Sequence, residues 1–431
     1  MSTPLIPAAA APISVDAVSF LWIVVSAAVA AVMATVLSSR LMVPVVVFEL
    51  VLGIIIGPQL LGLAEPDRFI EFFAKVGLGM LFFFAGYEID FRRIRGSPLR
   101  LATWGWLLSL LLAYSIGGLL AWAGVVVSLV YTGSAMSTTA IGILIPILSD
   151  VGEMRTRFGT YLLGAGAIGE FGPLLLISLV FSAEGSLRSA VILVAFVTVA
   201  VAAALAAVRS LPLGWHALER TLESSSQAAV RFTVVLIFAL VALALKLGLD
   251  LLLGGFAAGI IVRLALRGRE VTVFESKLTG IGYGFLIPFF FIVSGMQFDL
   301  NALTGSATAL LKLPRFVALF LLVRGVPAFV LYHHVLDARD RLGLGFFSST
   351  QLARVVAITT IAIAAGKMRP STSAALIGAG IISTLVFPLI GLRLRARGAG
   401  TDVEDHLDID TGLEMPILDR TPPSELGEAH P

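Results

Sequence analysis

Three charged side chains sit in stretches where charge is otherwise absent. Glu170 is the only charged residue between Arg157 and Glu184, Arg324 lies midway along FVALFLLVRGVPAFVLYHH, and Arg354 falls inside FFSSTQLARVVAITT. Two polar runs accompany them. Ser134, Ser137, Thr138 and Thr139 cluster in YTGSAMSTTAIGILIP, within a stretch free of charge from 101 to 149, and Ser348, Ser349, Thr350 and Gln351 cluster just before Arg354. A carboxylate in apolar surroundings can hold a proton, or with hydroxyl and carbonyl oxygens a dehydrated cation. A nearby guanidinium would bias that choice, or would recognise an anion instead. Each group also has a plain structural explanation. Glu170 could exist only to pair with one arginine, Arg324 could be that partner, and hydroxyls in apolar helices often bond back to the preceding turn.

The elements that carry these groups are set by composition. Of 431 residues, 58% are hydrophobic and 13% charged, against roughly 25% charged in a soluble chain. That excludes an ordinary soluble enzyme. Apolar runs of about 20 residues, the length that crosses a bilayer, recur along the chain. The expected spans are 17–37, 42–57, 69–88, 101–120, 126–148, 159–182, 189–208, 229–250, 252–267, 278–297, 313–335, 343–366 and 372–392. The fold class expected is therefore an all-α polytopic membrane protein with about thirteen transmembrane helices. Charge at the centre of such a span is costly and is a functional signal by default.

Thirteen spans put the two termini on opposite sides, and the loops decide which. One set carries seventeen Arg and Lys, including Arg92, Arg93, Arg95, Arg209, Arg220, Arg339 and Arg341, while the other carries only Arg68, Arg188, Lys312, Lys367 and Arg369. The basic set is expected in the cytoplasm. Residues 1–16 are then extracytoplasmic, 17–392 form the membrane domain, and 393–431 form a cytoplasmic acidic tail. The tail, with nine Asp and Glu against Arg420 within 401–431, is expected to be disordered. Without it the formal charge of +2 becomes an excess of ten positive charges, which membrane orientation explains without any nucleic acid. The N-terminus has no Lys or Arg before the first apolar run, so the first helix is expected to be retained. No cysteine is present, which removes thiol chemistry and thiolate metal sites, and the five histidines fall in loops, span ends or tail. Glu88, Asp90 and the Arg92–Arg95 cluster are expected to form a cytoplasmic rim.

The two polar runs lie on spans five and twelve. Helices seven spans apart cross the membrane in opposite directions, as an inverted repeat with two crossed, broken helices requires. Gly133 before the first run, and Gly164, Gly166, Gly169, Gly172 and Pro173 around Glu170, suit helices that approach closely around a cavity. Transporters of this design hold substrate at the midplane where the breaks meet.

At this point the chain resembles the monovalent cation:proton antiporter superfamily, particularly the branch with Kef-type and Nap-type bacterial proteins and the sodium/hydrogen exchangers. The likeness covers most of 42–392 and rests on FELVLGIIIGPQLLGL, GLGMLFFFAGYEIDFRRIR, SAMSTTAIGILIPIL, GAGAIGEFGP and FLIPFFFIVSGMQFDL, in that order. The resemblance implies thirteen helices, a core subdomain with broken helices five and twelve, a dimerisation subdomain, a homodimer in the cell (inner) membrane, elevator-like alternating access and a role in pH homeostasis. It implies that Glu170 is the cation- and proton-binding carboxylate, that Thr138 and Thr139 lie on the first broken helix and that Arg324 falls near the family's basic residue on helix eleven. Transported Na⁺ or K⁺ and H⁺, and no resident cofactor, go with this reading.

Two departures sharpen it. Electrogenic members carry two adjacent carboxylates on helix six, whereas Gly169 precedes Glu170 here. One carboxylate exchanging one proton for one monovalent cation predicts electroneutral transport. Arg354 is the second departure, a cation close to where a cation should bind. The expectation is that it pairs with Glu49, the only acid of span two, leaving Arg324 to engage Glu170. The expected ion and proton site is thus Glu170 with Ser137, Thr138 and Thr139, supported by Arg324, Arg354 and Glu49, with Ser348, Ser349, Thr350 and Gln351 on the second break. If both arginines faced the site, a sodium-coupled symporter of an organic anion would be the alternative. A channel-like cation permease would use the same oxygens without proton coupling.

Overall fold

The structure, a computed structural model, describes residues 16–38, 45–88, 94–180, 186–222, 224–249, 251–266 and 271–396. The expected rim residues Asp90, Arg92 and Arg93 and the acidic tail lie outside the described residues, as do residues 1–15 of the expected extracytoplasmic segment. Among the described residues every regular element is helical. In chain order they are α1 (Ala17–Ser38), α2 (Val45–Ile56), α3 (Arg68–Glu88), α4 (Ser97–Trp122), α5 (Leu129–Met136), α6 (Ile141–Asp150), α7 (Arg157–Val180), α8 (Ser186–Arg220), α9 (Ala228–Lys246), α10 (Leu251–Ala265), α11 (Thr272–Ile281), α12 (Ile287–Met296), α13 (Leu300–Thr304), α14 (Ala307–Phe320), α15 (Val326–Leu331), α16 (Ala338–Ser348), α17 (Ala353–Ala364) and α18 (Pro370–Ala396). Each of the thirteen expected spans coincides with one of these helices or with a pair in succession. Among the described residues, eight stretches are continuous, long and apolar enough to cross a membrane by length and composition. Shorter apolar helices, including α2 and α10, account for others.

Local chemistry starts and bends these helices. Asp16 caps α1: its carboxylate accepts from the Ser19 hydroxyl at 2.6 Å and from the backbone N–H groups of Val18 and Ser19. The Ser19 hydroxyl is the main reason this exposed carboxyl is held below the ordinary aspartate range. Two long helices contain a widened π-helical turn, Gly282–Leu286 between α11 and α12 and Leu321–Gly325 between α14 and α15. Each is followed, after one intervening residue, by a proline, Pro288 or Pro327. Proline has no N–H to return to the carbonyl four residues back, so the preceding turn opens without ending the helix. Arg324 sits inside the second of these turns.

Packing divides the helices into two groups. In one, α1, α2, α3, α9, α10 and α12 pack together, with α8 against α10. Their backbones approach closely at small residues: a Cβ on Gly259 of α10 would strike the Phe83 carbonyl of α3, and one on Gly295 of α12 would strike the Leu50 carbonyl of α2. In the other, α4 packs on α5 and α7, and α18 packs on α14, α16 and α17. One end of this second group is tied by Arg395 of α18, which lies over the Phe158 ring and pairs with Glu153 at 2.8 Å and Asp340 at 2.5 Å.

The second group contains both interruptions expected from the polar runs. The chain leaves helical geometry after Met136 and resumes at Ile141, and leaves it again after Ser348 and resumes at Ala353. The two breaks bond to each other. Ala140 N donates to the Thr350 carbonyl at 2.8 Å, and Gln351 Nε2 donates to the Met136 carbonyl at 2.9 Å. Four helix ends therefore converge: the C-termini of α5 and α16, and the N-termini of α6 and α17.

Candidate functional site

The crossing is built from backbone groups that each half-helix leaves unsatisfied. On the first break the last carbonyls of α5 are met locally, with the Ser137 hydroxyl donating to Ser134 O at 3.0 Å and Thr138 Oγ1 to Ala135 O at 3.1 Å. On the second, Ser349 Oγ donates to Gly345 O at 2.7 Å and Thr350 Oγ1 to Phe346 O at 3.4 Å. For these side chains the back-bonding explanation describes what they do. Thr138 also reaches across, with its hydroxyl 3.2 Å from Gln351 Oε1. Gln351 is itself fixed by α18, since its N–H donates to the Ser383 hydroxyl at 3.1 Å.

Thr139 is held by a neighbouring helix through a proline effect. Pro173 removes the N–H that would have bonded the Gly169 carbonyl inside α7, and that carbonyl accepts from Thr139 N at 3.2 Å. The Thr139 hydroxyl donates to Ser348 O at 2.6 Å and accepts from Arg324 Nε at 3.0 Å and Nη2 at 2.8 Å. Arg324, 4% exposed, further donates to Ser109 Oγ at 3.2 Å and to Ala165 O at 3.2 Å. Gly169 makes this packing possible, because a Cβ there would meet both the Arg324 guanidinium and the Thr139 side chain.

Glu170, 5% exposed, projects from α7 onto the N-terminus of α6, where Oε2 accepts from Ile141 N at 2.7 Å. An exposed helix N–H and the positive end of the helix dipole favour a carboxylate at that place. Its other oxygen, Oε1, lies 3.5 Å from Nη2 of Arg354, which is 2% exposed and stands in the first turn of α17 with its guanidinium 4.1 Å above the Phe82 ring.

All of the expected residues but one converge on this crossing, with different pairings from those expected. Arg354, and not Arg324, is the partner of Glu170. The reason is placement, since Arg354 enters the crossing on the first turn of α17 beside α7, whereas Arg324 is taken up by Thr139, Ser109 and Ala165. The expected pair of Arg354 with Glu49 does not form. Glu49 is 3% exposed on α2, which packs on α12 in the other helix group, and its Oε2 has no hydrogen-bond partner. Ser348 contributes through its carbonyl, since its hydroxyl has no partner.

Contributors that were not expected include Ser109, Ser383, the Ile141 N–H and the carbonyls of Met136, Ala165 and Gly169. Two had a legible signal. Ser109 is a lone hydroxyl in the apolar run WLLSLLL, and Pro173 four residues after Gly169 marks a released carbonyl. The Ile141 N–H had none, because which backbone N–H meets a carboxylate depends on where the break ends.

A carboxylate, hydroxyls and outward-facing carbonyl ends, buried together between four helix termini, can bind a proton or a small monovalent cation. The comparisons with known proteins fit that chemistry. The family model described as "Sodium/hydrogen exchanger, transmembrane" matches residues 25–392. The putative Na(+)/H(+) antiporter YjbQ of Bacillus subtilis is 27% identical over 377 residues, covering 83% of this chain and 60% of that protein, so this chain spans a little over half of that relative's length. The Na(+)/H(+)-K(+) antiporter GerN of Bacillus cereus is 27% identical over 367 residues, covering 82% of this chain and 90% of that protein. Among solved structures, the sodium proton antiporter MjNhaP1 of Methanocaldococcus jannaschii superposes with a TM-score of 0.57 at 18% identity, covering 89% of this chain and 97% of that one, a likeness of fold.

Proposed function

The chain belongs to the sodium/hydrogen exchanger family, and from that premise we propose that it exchanges one monovalent cation, Na⁺ or K⁺, for one proton, with Glu170 as the group that binds either. The observation that carries this reading is the setting of Glu170, a buried carboxylate at the end of a broken helix, facing a second broken helix. In the proposed cycle Glu170 holds the cation together with the Thr138 hydroxyl, carbonyl oxygens of the two breaks, and the hydroxyls of Ser137 and Thr139. Arg354 holds Glu170 when neither ligand is bound. Protonation or cation binding neutralises the carboxylate and weakens its attraction to Arg354. In the empty state the Glu170–Arg354 contact clamps α7 to α17, and its release on occupancy lets the occupied states translocate, so exchange follows. Because proton and cation compete, apparent cation affinity falls as pH falls.

With one carboxylate at the crossing, a complete cycle moves no net charge. It therefore avoids the roughly 2.3 kcal/mol per charge that a potential of 100 mV imposes. The organic-anion reading needed both arginines to face the substrate. One is on Glu170 and the other on Thr139, Ser109 and Ala165, so that reading loses its support. We place the protein in the cell membrane with thirteen crossings, its N-terminus outside, its C-terminus in the cytoplasm, and its two helix groups acting as core and dimerisation subdomains of a homodimer.

The test is a reconstituted one. In proteoliposomes carrying a pH gradient and a proton-sensitive dye, adding Na⁺ or K⁺ as chloride should collapse the gradient, and an imposed membrane potential should leave the rate unchanged. A rate that follows the potential contradicts electroneutrality. Current without proton movement would favour the permease.

A further inference from the structure

Arg324 has a second neighbourhood that includes none of Glu170, Thr138 and Gln351. A cavity of about 10 Å³ lies between α4, α7, α15 and α16, and its lining includes Trp106, Ser109, Arg324, Tyr332 and Ser348. Three polar atoms on that lining are buried and have no hydrogen-bond partner in the protein: Trp106 Nε1, Tyr332 Oη and Ser348 Oγ. Tyr332 and Ser348 are each 1% exposed. Leaving a buried polar group unsatisfied is costly, and three such atoms on one small cavity make coincidence a poor explanation.

The chemistry of the set narrows what fits. Indole and guanidinium nitrogens only donate, whereas the tyrosine and serine hydroxyls donate or accept. Arg324 has five N–H groups; Nε is used by Thr139, Nη2 by Thr139 and Ala165, and Nη1 once by Ser109. One N–H on Nη1 remains. The occupant must accept from two donors and can give to two hydroxyls, which is the full valence of one water. The space also matches, since about 10–15 Å³ is enough to hold a single water. A halide would satisfy the donors but is larger than the room available, and a cation is excluded by the guanidinium.

We propose that this cavity is a resident water site, in which one water bridges Arg324 to Trp106, Tyr332 and Ser348 and makes Trp106 and Tyr332 positioning residues for Arg324. Through Arg324 the water fixes Thr139, and so the first break. The existence of the site does not depend on whether Glu170 binds a cation, and its test can be read without transport.

Pulsed hydroxyl-radical footprinting of the full chain in nanodiscs generates radicals from bound water as well as bulk water. Tyr332 should be modified far faster than equally buried rings away from the cavity, such as Phe291 and Phe289. Trp106→Phe should slow modification at Tyr332 several-fold and leave those phenylalanines unchanged. In the dye assay the same variant should raise the half-saturating cation concentration several-fold while the maximal rate holds. Modification of Tyr332 no faster than of Phe291 would overturn the water site, as would protection of Tyr332 by bromide but not by sulfate, which would identify a halide. A fall in maximal rate with unchanged half-saturation would overturn the positioning role.

Discussion

At Thr139, on the first break, and at Glu170, on α7 facing that break, the two buried arginines divide their work. Arg324 bonds neutral oxygens and Arg354 supplies the charge that opposes Glu170. Removing one member of a buried pair leaves the other uncompensated, at a cost of about 3–5 kcal/mol. Arg354→Gln is therefore expected to lower thermal stability in detergent by about that much at neutral pH, and to recover part of it at low pH, where Glu170 is protonated. Equal losses at both pH values would contradict the pairing. That Glu170, Arg324 and Arg354 matter was legible, because charge is so scarce in these spans that each stands out. Which arginine faces the carboxylate was not. That depends on the rotation of α17 about its axis and on the π turn that carries Arg324, and neither is recorded in a count of charges.

The interrupted helices are held in place by main-chain groups, and the clearest case is the Gly169 carbonyl that Pro173 frees for Thr139 N. Pro173→Ala would supply an N–H inside α7 to compete for that carbonyl. A net hydrogen bond is worth about 0.5–1.5 kcal/mol. The variant should raise the cation concentration needed for half-maximal exchange without abolishing transport, as measured by dye dequenching. An unchanged half-saturation would show that the Thr139–Gly169 bond does not shape the site. The breaks themselves were legible from hydroxyls clustered in charge-free sequence after Gly133, and from the odd separation of spans five and twelve. The π turns were within reach, since Pro288 and Pro327 sit inside otherwise continuous apolar runs. The backbone bonds that tie the two breaks together were not, because they join residues about 210 positions apart and depend on the end point of each half-helix.

For the molecule as a whole, hydropathy located the apolar helical stretches, and the positive-inside rule supplies an orientation that the helices alone leave open. The absence of cysteine makes that orientation simple to check. In right-side-out vesicles Lys367→Cys should react with a membrane-impermeant maleimide and Ser225→Cys should react only after permeabilisation; the reverse pattern would invert the topology. Both residues are exposed, so failure of access through burial is not expected. The division into two helix groups was not readable from composition, because each group is assembled from helices far apart in the chain. It emerges from where small residues let backbones meet, at Gly259 and Gly295 in one group and at Gly117, against the Leu129 carbonyl, in the other. The account as a whole rests on one carboxylate serving two ions in turn. Its most direct test is the pH-gradient assay run side by side on the wild-type chain and Glu170→Gln, reconstituted at equal density and shown to share one elution profile and melting behaviour. The account predicts cation-driven collapse of the gradient for the wild type and none for Glu170→Gln at any Na⁺ or K⁺ concentration, whereas exchange retained by the folded variant would contradict it.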